Sequence, residues 1–207
     1  MSYKGKDKSN VYKSAEGYDL YASEYDKKLK YLDSFEREII LVLLASIKVK
    51  KALDIGSGTG RLIEALKNSA KKIVALDLSK GMLDLAKKKF PEIETVVGDV
   101  EELPFKDNSF GLVTAGFMIV HLRVFEQAFD EIYRVLEEGG IFILTNINQR
   151  KAPKLKLEVG GEIVIESHYH RPEDVIKALE KSFFKIEKEE FVYENGVWIN
   201  QIIQARK

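Results

Sequence analysis

The chain has 207 residues, with 33 Lys+Arg against 33 Asp+Glu and therefore no formal net charge. That length suits one domain with a core large enough to need no covalent staples, and the balanced charge gives no overall field to recruit nucleic acid or an anionic membrane. The absence of cysteine excludes disulfides, thiolate metal sites and thiol nucleophiles. No signal-peptide core and no apolar run of membrane length occur, so the expected location is the cytoplasm, without a membrane partner.

Taken in order, residues 1–14 are polar and lysine-rich and read as a mobile tail. Residues 15–47 read as N-terminal helices. Tyr18, Tyr21 and Tyr25 recur three and four apart, which sets them on one helix face. Leu32, Phe35, Ile39, Ile40, Leu43, Leu44 and Ile47 continue as one amphipathic helix. Ala52, Leu53 and Ile55 end a buried strand, and the run Gly56-Ser57-Gly58-Thr59-Gly60 must then turn the chain. Three glycines in five residues allow positive φ and leave bare main chain for a ligand. Leu62, Ile63 and Leu66 place a helix start at about Gly60, whose free N–H groups would attract negative charge.

A second buried strand, 72–78, carries Asp77 about 20 residues past Gly56, where nucleotide-binding α/β folds hold a ribose diol on a carboxylate. An ionised carboxylate only accepts hydrogen bonds, so it can take both hydroxyl protons. Ser79 caps a helix that carries Met82 in its first turn. A third strand, 94–98, ends at Asp99, which also fits a local Asx turn. Three successive strand tips thus bear Asp54, Asp77 and Asp99. The fourth strand, 110–117, runs into Met118–Leu122. A helix from Phe125 to Leu136 is expected to stop at Gly139-Gly140, before a fifth strand at 141–144.

The segment 150–170 reads as an inserted β-hairpin, with 155–159 and 162–166 flanking a two-glycine turn at Gly160-Gly161. His168 and His170 alternate and share a side in extended chain. No third ligand accompanies them, so no metal site is expected. Pro172 opens another helix, and Asn195-Gly196 joins the two strands of a final hairpin.

Asp54-Ile55-Gly56-Ser57-Gly58-Thr59-Gly60, Leu76-Asp77-Leu78-Ser79, Gly98-Asp99-Val100 through Leu103-Pro104-Phe105, and Arg134-Val135-Leu136 with Gly139-Gly140 together resemble class I S-adenosylmethionine-dependent methyltransferases of the small-molecule, type 11/25 kind. The ordered resemblance runs from about residue 15 to the C-terminus. A nicotinamide fold would carry G-x-G-x-x-G, whereas this chain has G-x-G-x-G behind an acid. The resemblance implies an α/β, Rossmann-like doubly wound seven-stranded sheet, mostly parallel with one antiparallel strand and helices on both faces. It implies one domain over residues 1–207, with 15–47 over the cleft and the 150–170 hairpin beside the acceptor.

It also implies S-adenosyl-L-methionine as cofactor and S-adenosyl-L-homocysteine as product. Asp54 would hold the donor's amino end, and Gly56, Ser57, Gly58 and Gly60 would cradle its methionyl and ribose parts. Asp77 would take the ribose, while Leu78, Met82, Asp99 and Val100 hold adenine; Met82 reads equally as core. Tyr18 and Tyr25 would lie near the methyl donor, or simply form a packed face. Phe117 would face both sulfonium and acceptor. His121, Tyr25 and His170 are the candidates for deprotonating an acceptor, each with an ordinary packing or surface role as the alternative. Ala115-Gly116-Phe117-Met118 stands where base-amine methylases carry an Asp/Asn-Pro-Pro-Tyr/Phe box, which argues against a nucleobase amine. The absent cysteine argues against pyrimidine C5. The expected reaction is in-line displacement onto a small-molecule acceptor by a monomer or homodimer. A protein or RNA acceptor, or a silent donor-binding subunit, stays open.

Overall fold

A computed structural model describes residues 10–207. In chain order the elements are β1 (Asn10–Tyr12), α1 (Ser14–Tyr25), α2 (Leu29–Asp33), α3 (Arg37–Leu44), β2 (Val49–Ile55), α4 (Ile63–Leu66), β3 (Ala70–Asp77), α5 (Lys80–Lys89), β4 (Glu94–Val97) and β5 (Phe110–Ala115). There follow α6 (Glu126–Val135), β6 (Leu136–Ile147), β7 (Lys154–Lys156), β8 (Glu162–Ile165), α7 (Pro172–Lys181), β9 (Lys185–Glu194) and β10 (Val197–Arg206). Seven strands form the central sheet in the order β4-β3-β2-β5-β6-β10-β9, and only β10 runs against its neighbours. The Rossmann-like sheet read from the sequence is therefore present, including its single antiparallel strand.

Side chains alternate across a strand, and this alternation sorts the core into two layers. Leu53, Ile55, Val74 and Leu76 point to the side covered by Phe129 and Ile132 of α6 and Leu179 of α7. Ala52, Ile73, Ala75 and Leu112 point to the other, under Leu43 of α3, Ile63 of α4 and Leu83 of α5. With both faces covered, the strands read as apolar runs rather than as polar–apolar alternation. The order of strands reverses at β2 and β5, and a crevice opens at such a switch point beyond the carboxyl ends of the strands.

Several local expectations change. Of the predicted tail, residues 1–9 lie outside the described residues, whereas Asn10–Tyr12 form β1, paired in parallel with β8. Edge pairing supplies their backbone partners. The single helix expected over 32–47 breaks at Glu36, whose φ of −158° leaves the helical region. Its side chain is buried against Arg61, and Asn200 Nδ2 reaches the Phe35 carbonyl at 3.2 Å. After the glycine run the helix has only four residues and begins at Ile63, because Gly60 holds φ at +87°. Helix α6 stops at Val135, and Gly139-Gly140 instead lie within β6 beside an irregularity in its ladder with β5. The 150–170 hairpin exists, but Leu157–Gly161 form its turn, with Gly160 N donating to the Leu157 carbonyl at 3.0 Å. The final hairpin turns on Asn195 and Gly196, both with positive φ, as a tight two-residue turn requires.

Strands β1, β8 and β7 make a second, three-stranded sheet. It packs Leu155, Ile163 and Ile165 against Tyr21, which fastens it to α1. Gly17 permits this, since a Cβ there would come within 2.7 Å of Ile165.

Candidate functional site

Two cavities meet at the carboxyl ends of β2, β3 and β5, and the residues at those ends set their chemistry. Parallel pairing puts Asp54 opposite Thr114. The Thr114 hydroxyl donates to Asp54 Oδ1 at 2.6 Å, while buried Oδ2 has no partner in the protein. Burial pushes the Asp54 carboxyl up to about 7, against the pull of that hydrogen bond. With Tyr25, Gly56, Ser57, Arg61 and Gly116 it lines a small polar recess. The Ser57 hydroxyl is also buried without a partner. Arg61 lies 2.5 Å from Glu36, and its guanidinium sits 4.7 Å from the centre of the Phe117 ring.

At the next tip, Asp77 Oδ2 accepts from Gly58 N at 2.8 Å and Oδ1 from Ser79 N at 2.9 Å. The carboxylate is thereby pinned to the glycine turn, and its remaining lone pairs are available to the cleft. Burial raises its pKa, while these N–H donors oppose the rise. Gly56 has φ of +62°, and a Cβ there would strike Met118 at 2.8 Å, so this turn needs glycine for conformation and for space. Asp99 accepts from Glu101 N at 2.9 Å, which makes the Asx turn, and it lines the cleft as well. Its two readings are compatible.

The first cavity is lined by Tyr18, Tyr25, Gly56, Gly58, Asp77, Leu78, Met82, Asp99, Val100, Phe117 and His121. Asp54 and Ser57 lie in the adjoining recess instead. Gly60 does not line the cleft; its positive φ turns the chain against Phe90. His170 is corrected too. It is buried, its Nε2–H is shared between the Ile119 and Leu122 carbonyls at 3.0 Å each, and its ring meets Phe125. It props up a short 3₁₀ turn at Ile119–His121 and lines neither cavity.

The second cavity is lined largely by aromatic and aliphatic side chains: Tyr21, Tyr31, Leu32, Phe35, Leu155 and Ile165 among them, with Lys28 and Gln149. Tyr18, Tyr25, Phe117 and His121 belong to both cavities. Sequence reasoning missed this chamber because Phe35 and Leu32 fit a core helix, and missed Arg61, whose only signal was its place directly after the glycine run. Helix α1 roofs both spaces. Asp19 accepts from the Ser79 hydroxyl at 2.6 Å and Gly81 N at 2.8 Å, and Asp26 accepts from the Thr59 hydroxyl at 2.6 Å. His121 donates Nδ1–H to the Glu166 carbonyl at 2.9 Å and stands 2.8 Å from the Tyr18 hydroxyl through Nε2.

Residues 53–144 match the family model described as a methyltransferase domain. An uncharacterized protein of Methanocaldococcus jannaschii is 32% identical over 200 residues, covering 83% of this chain and 76% of that one. The chain belongs to the class I S-adenosylmethionine-dependent methyltransferases. The demethylmenaquinone methyltransferase of Chlorobaculum tepidum is 39% identical over 109 residues, covering 52% of this methyltransferase and 45% of its own length. The chain thus spans about half the length of the first curated relatives it matches. The DhpI–SAH complex structure superposes with a TM-score of 0.76 at 20% identity, over 93% of this chain and 94% of that one, and so shares the fold.

The family's cofactor is S-adenosylmethionine, and the residues present suit it. A buried carboxylate oxygen and a buried hydroxyl, both without protein partners, are placed to meet polar atoms of a ligand. The donor's amino-acid end supplies such atoms. Among the described residues, no group of three or more His, Asp or Glu is placed to hold a metal, and no helix is long and apolar enough to cross a membrane.

Proposed function

We propose that this methyltransferase moves the methyl group of S-adenosylmethionine by direct in-line displacement onto a small, apolar, ring-bearing acceptor held in the second cavity. The observation that carries this reading is the junction itself: Tyr18, Tyr25, Phe117 and His121 form walls common to a polar donor cleft and an aromatic chamber. The demethylmenaquinone methyltransferases among the relatives support a ring as acceptor.

The bound sulfonium supplies an already activated methyl group. Asp54 takes the donor's ammonium through its free Oδ2, and Arg61 attracts the carboxylate end. Gly56 and Gly58 let the ligand lie against main chain, Asp77 receives the ribose diol, and Leu78, Met82, Asp99 and Val100 surround adenine. Phe117 and Tyr25 hold the acceptor behind the methyl carbon and exclude water. Such positioning is worth roughly 7–11 kcal/mol in well-oriented reactions.

Titration calorimetry with S-adenosylmethionine, S-adenosylhomocysteine and NADH tests the donor assignment. Binding of the first two and not the third is expected; the reverse would refute it. Turnover with methyl-labelled donor and a panel of hydroxylated aromatics then tests the transfer.

A further inference from the structure

We propose that Tyr18 and His121 form a two-step proton relay and that the acceptor is a neutral ring hydroxyl, ionised through this relay as it is methylated. The inference rests on the methyl-transfer reading above and adds the class of acceptor and the route of its proton. A carbonyl oxygen can only accept, so the 2.9 Å contact with Glu166 fixes the proton on His121 Nδ1. Nε2 is then left with its lone pair, and the Tyr18 hydroxyl at 2.8 Å donates to it. The two rings stand at 90° with centres 5.2 Å apart, which aims the phenol at the imidazole edge. Both side chains line both cavities, so the relay stands where acceptor and methyl group meet.

The chamber's walls select the acceptor's charge. Among the described residues, Lys28 is the sole lysine or arginine along a wall made mainly of phenols, phenylalanines and aliphatic groups, and it is exposed. A carboxylate buried there would give up its hydration with only that exposed lysine to offset its charge, which is costly, whereas a neutral ring hydroxyl that hydrogen-bonds to Tyr18 is buried at far smaller cost. Neutral hydroxyls are poor nucleophiles until they lose their proton. In the step, the acceptor's proton passes to the Tyr18 oxygen as Tyr18's own proton passes to His121 Nε2. The acceptor's electron pair, on oxygen or on the conjugated ring carbon, forms the bond to the methyl carbon. The carbon–sulfur bond breaks with its pair left on sulfur. One positive charge disappears from the sulfonium and one appears on the imidazolium, which then releases its proton to solvent.

Burial in the cleft wall holds His121 below its ordinary pKa, so the ring is a neutral base at neutral pH. His168 is the other charged-capable group facing it, and Tyr18 in turn faces Tyr21, Tyr25 and Asp77.

The test compares wild type, Tyr18→Phe and His121→Gln on three probe acceptors: 1-naphthol, the more acidic 4-nitrophenol and 1-naphthoic acid. Wild type should methylate 1-naphthol and leave 1-naphthoic acid largely untouched. Each variant should lose roughly 100-fold in kcat on 1-naphthol and less than about tenfold on 4-nitrophenol, because a more acidic hydroxyl leans less on a base. Circular dichroism and urea midpoints establish that both variants are folded. In wild type bound to S-adenosylhomocysteine, nitrogen NMR should show His121 protonated on Nδ1. Equal losses on both phenols, an Nε2–H tautomer, 1-naphthoic acid methylated as fast as 1-naphthol, or no phenol turnover by a donor-binding protein would each overturn the relay and leave methyl transfer standing. Failure of wild type to bind S-adenosylhomocysteine would overturn both.

Discussion

The Asp19 carboxylate accepts the Ser79 hydroxyl at 2.6 Å, and that same hydroxyl oxygen accepts Met82 N at 3.1 Å. The helix that roofs the cleft is thus tied to the cap of the helix below it. Replacing Asp19 with Ala removes this tie and the bond to Gly81 N. We expect a loss of about 1 kcal/mol in unfolding free energy, the usual scale for a lost helix cap, with faster dissociation of S-adenosylhomocysteine. Urea denaturation and stopped-flow release measure the two; unchanged release would show that α1 does not hold the donor.

Asp77→Ala should weaken donor binding at least tenfold, about 1.4 kcal/mol. The same change frees Gly58 N and Ser79 N, so the glycine turn loses its anchor as well. Calorimetry on the variant decides the assignment: undiminished affinity would remove Asp77 from the donor site.

Asp54 makes stability depend on pH in a particular direction. Its folded value of about 7 lies above the ordinary 3.8 because of burial, so folding favours the protonated acid. That contribution is complete below the ordinary value and is lost as pH rises through the folded value. Asp54→Asn should therefore flatten the decline in stability between about pH 4 and 7, measured by urea midpoints across that window. The donor's ammonium favours the carboxylate, so binding just below neutrality should release a proton from wild type and not from Asp54→Asn. Calorimetry in buffers of different ionisation enthalpy reads this directly.

His170→Ala should cost about 1–3 kcal/mol by leaving the Leu122 carbonyl without its donor, while the Ile119 carbonyl keeps Leu122 N, with donor affinity unchanged. Burial holds the His170 pKa below its ordinary 6.5, opposed by its bonds to Ile119 and Leu122. The neutral ring is the form that folding favours, so its contribution is full above the ordinary value and fades as pH falls below it. Wild type should lose more stability than the variant on acidification; a parallel decline would contradict this account.

The sheet was readable because its strands are apolar on both sides and end in acids, a pattern that local residue identity carries. Asp77 and Asp99 could be set at strand tips from spacing, whereas Met82 and Val100 were set in the cleft by the family resemblance. What escaped depends on contacts distant in sequence. Glu36 breaks its helix to meet Arg61 and Asn200, and no window around residue 36 contains either partner. His170 and His121 look alike along the chain, yet one is consumed by two carbonyls and the other is left with a basic nitrogen on the cleft wall. The second cavity is assembled from α1, α2, the start of the insertion and the end of β6, so its aromatic residues looked like unrelated packing.

Leu155, Pro153 and Ile165 of the second cavity come from the small peripheral sheet and the loop before it, whereas Asp77 and Asp99 of the first stand at the strand tips of the central one. On the proposed reading, choice of guest is written largely in the hairpin and supply of methyl groups in the strand tips, with Tyr18, Tyr25, Phe117 and His121 common to both. Drift in one short hairpin would then re-address the protein to a new compound at little cost to its methyl source.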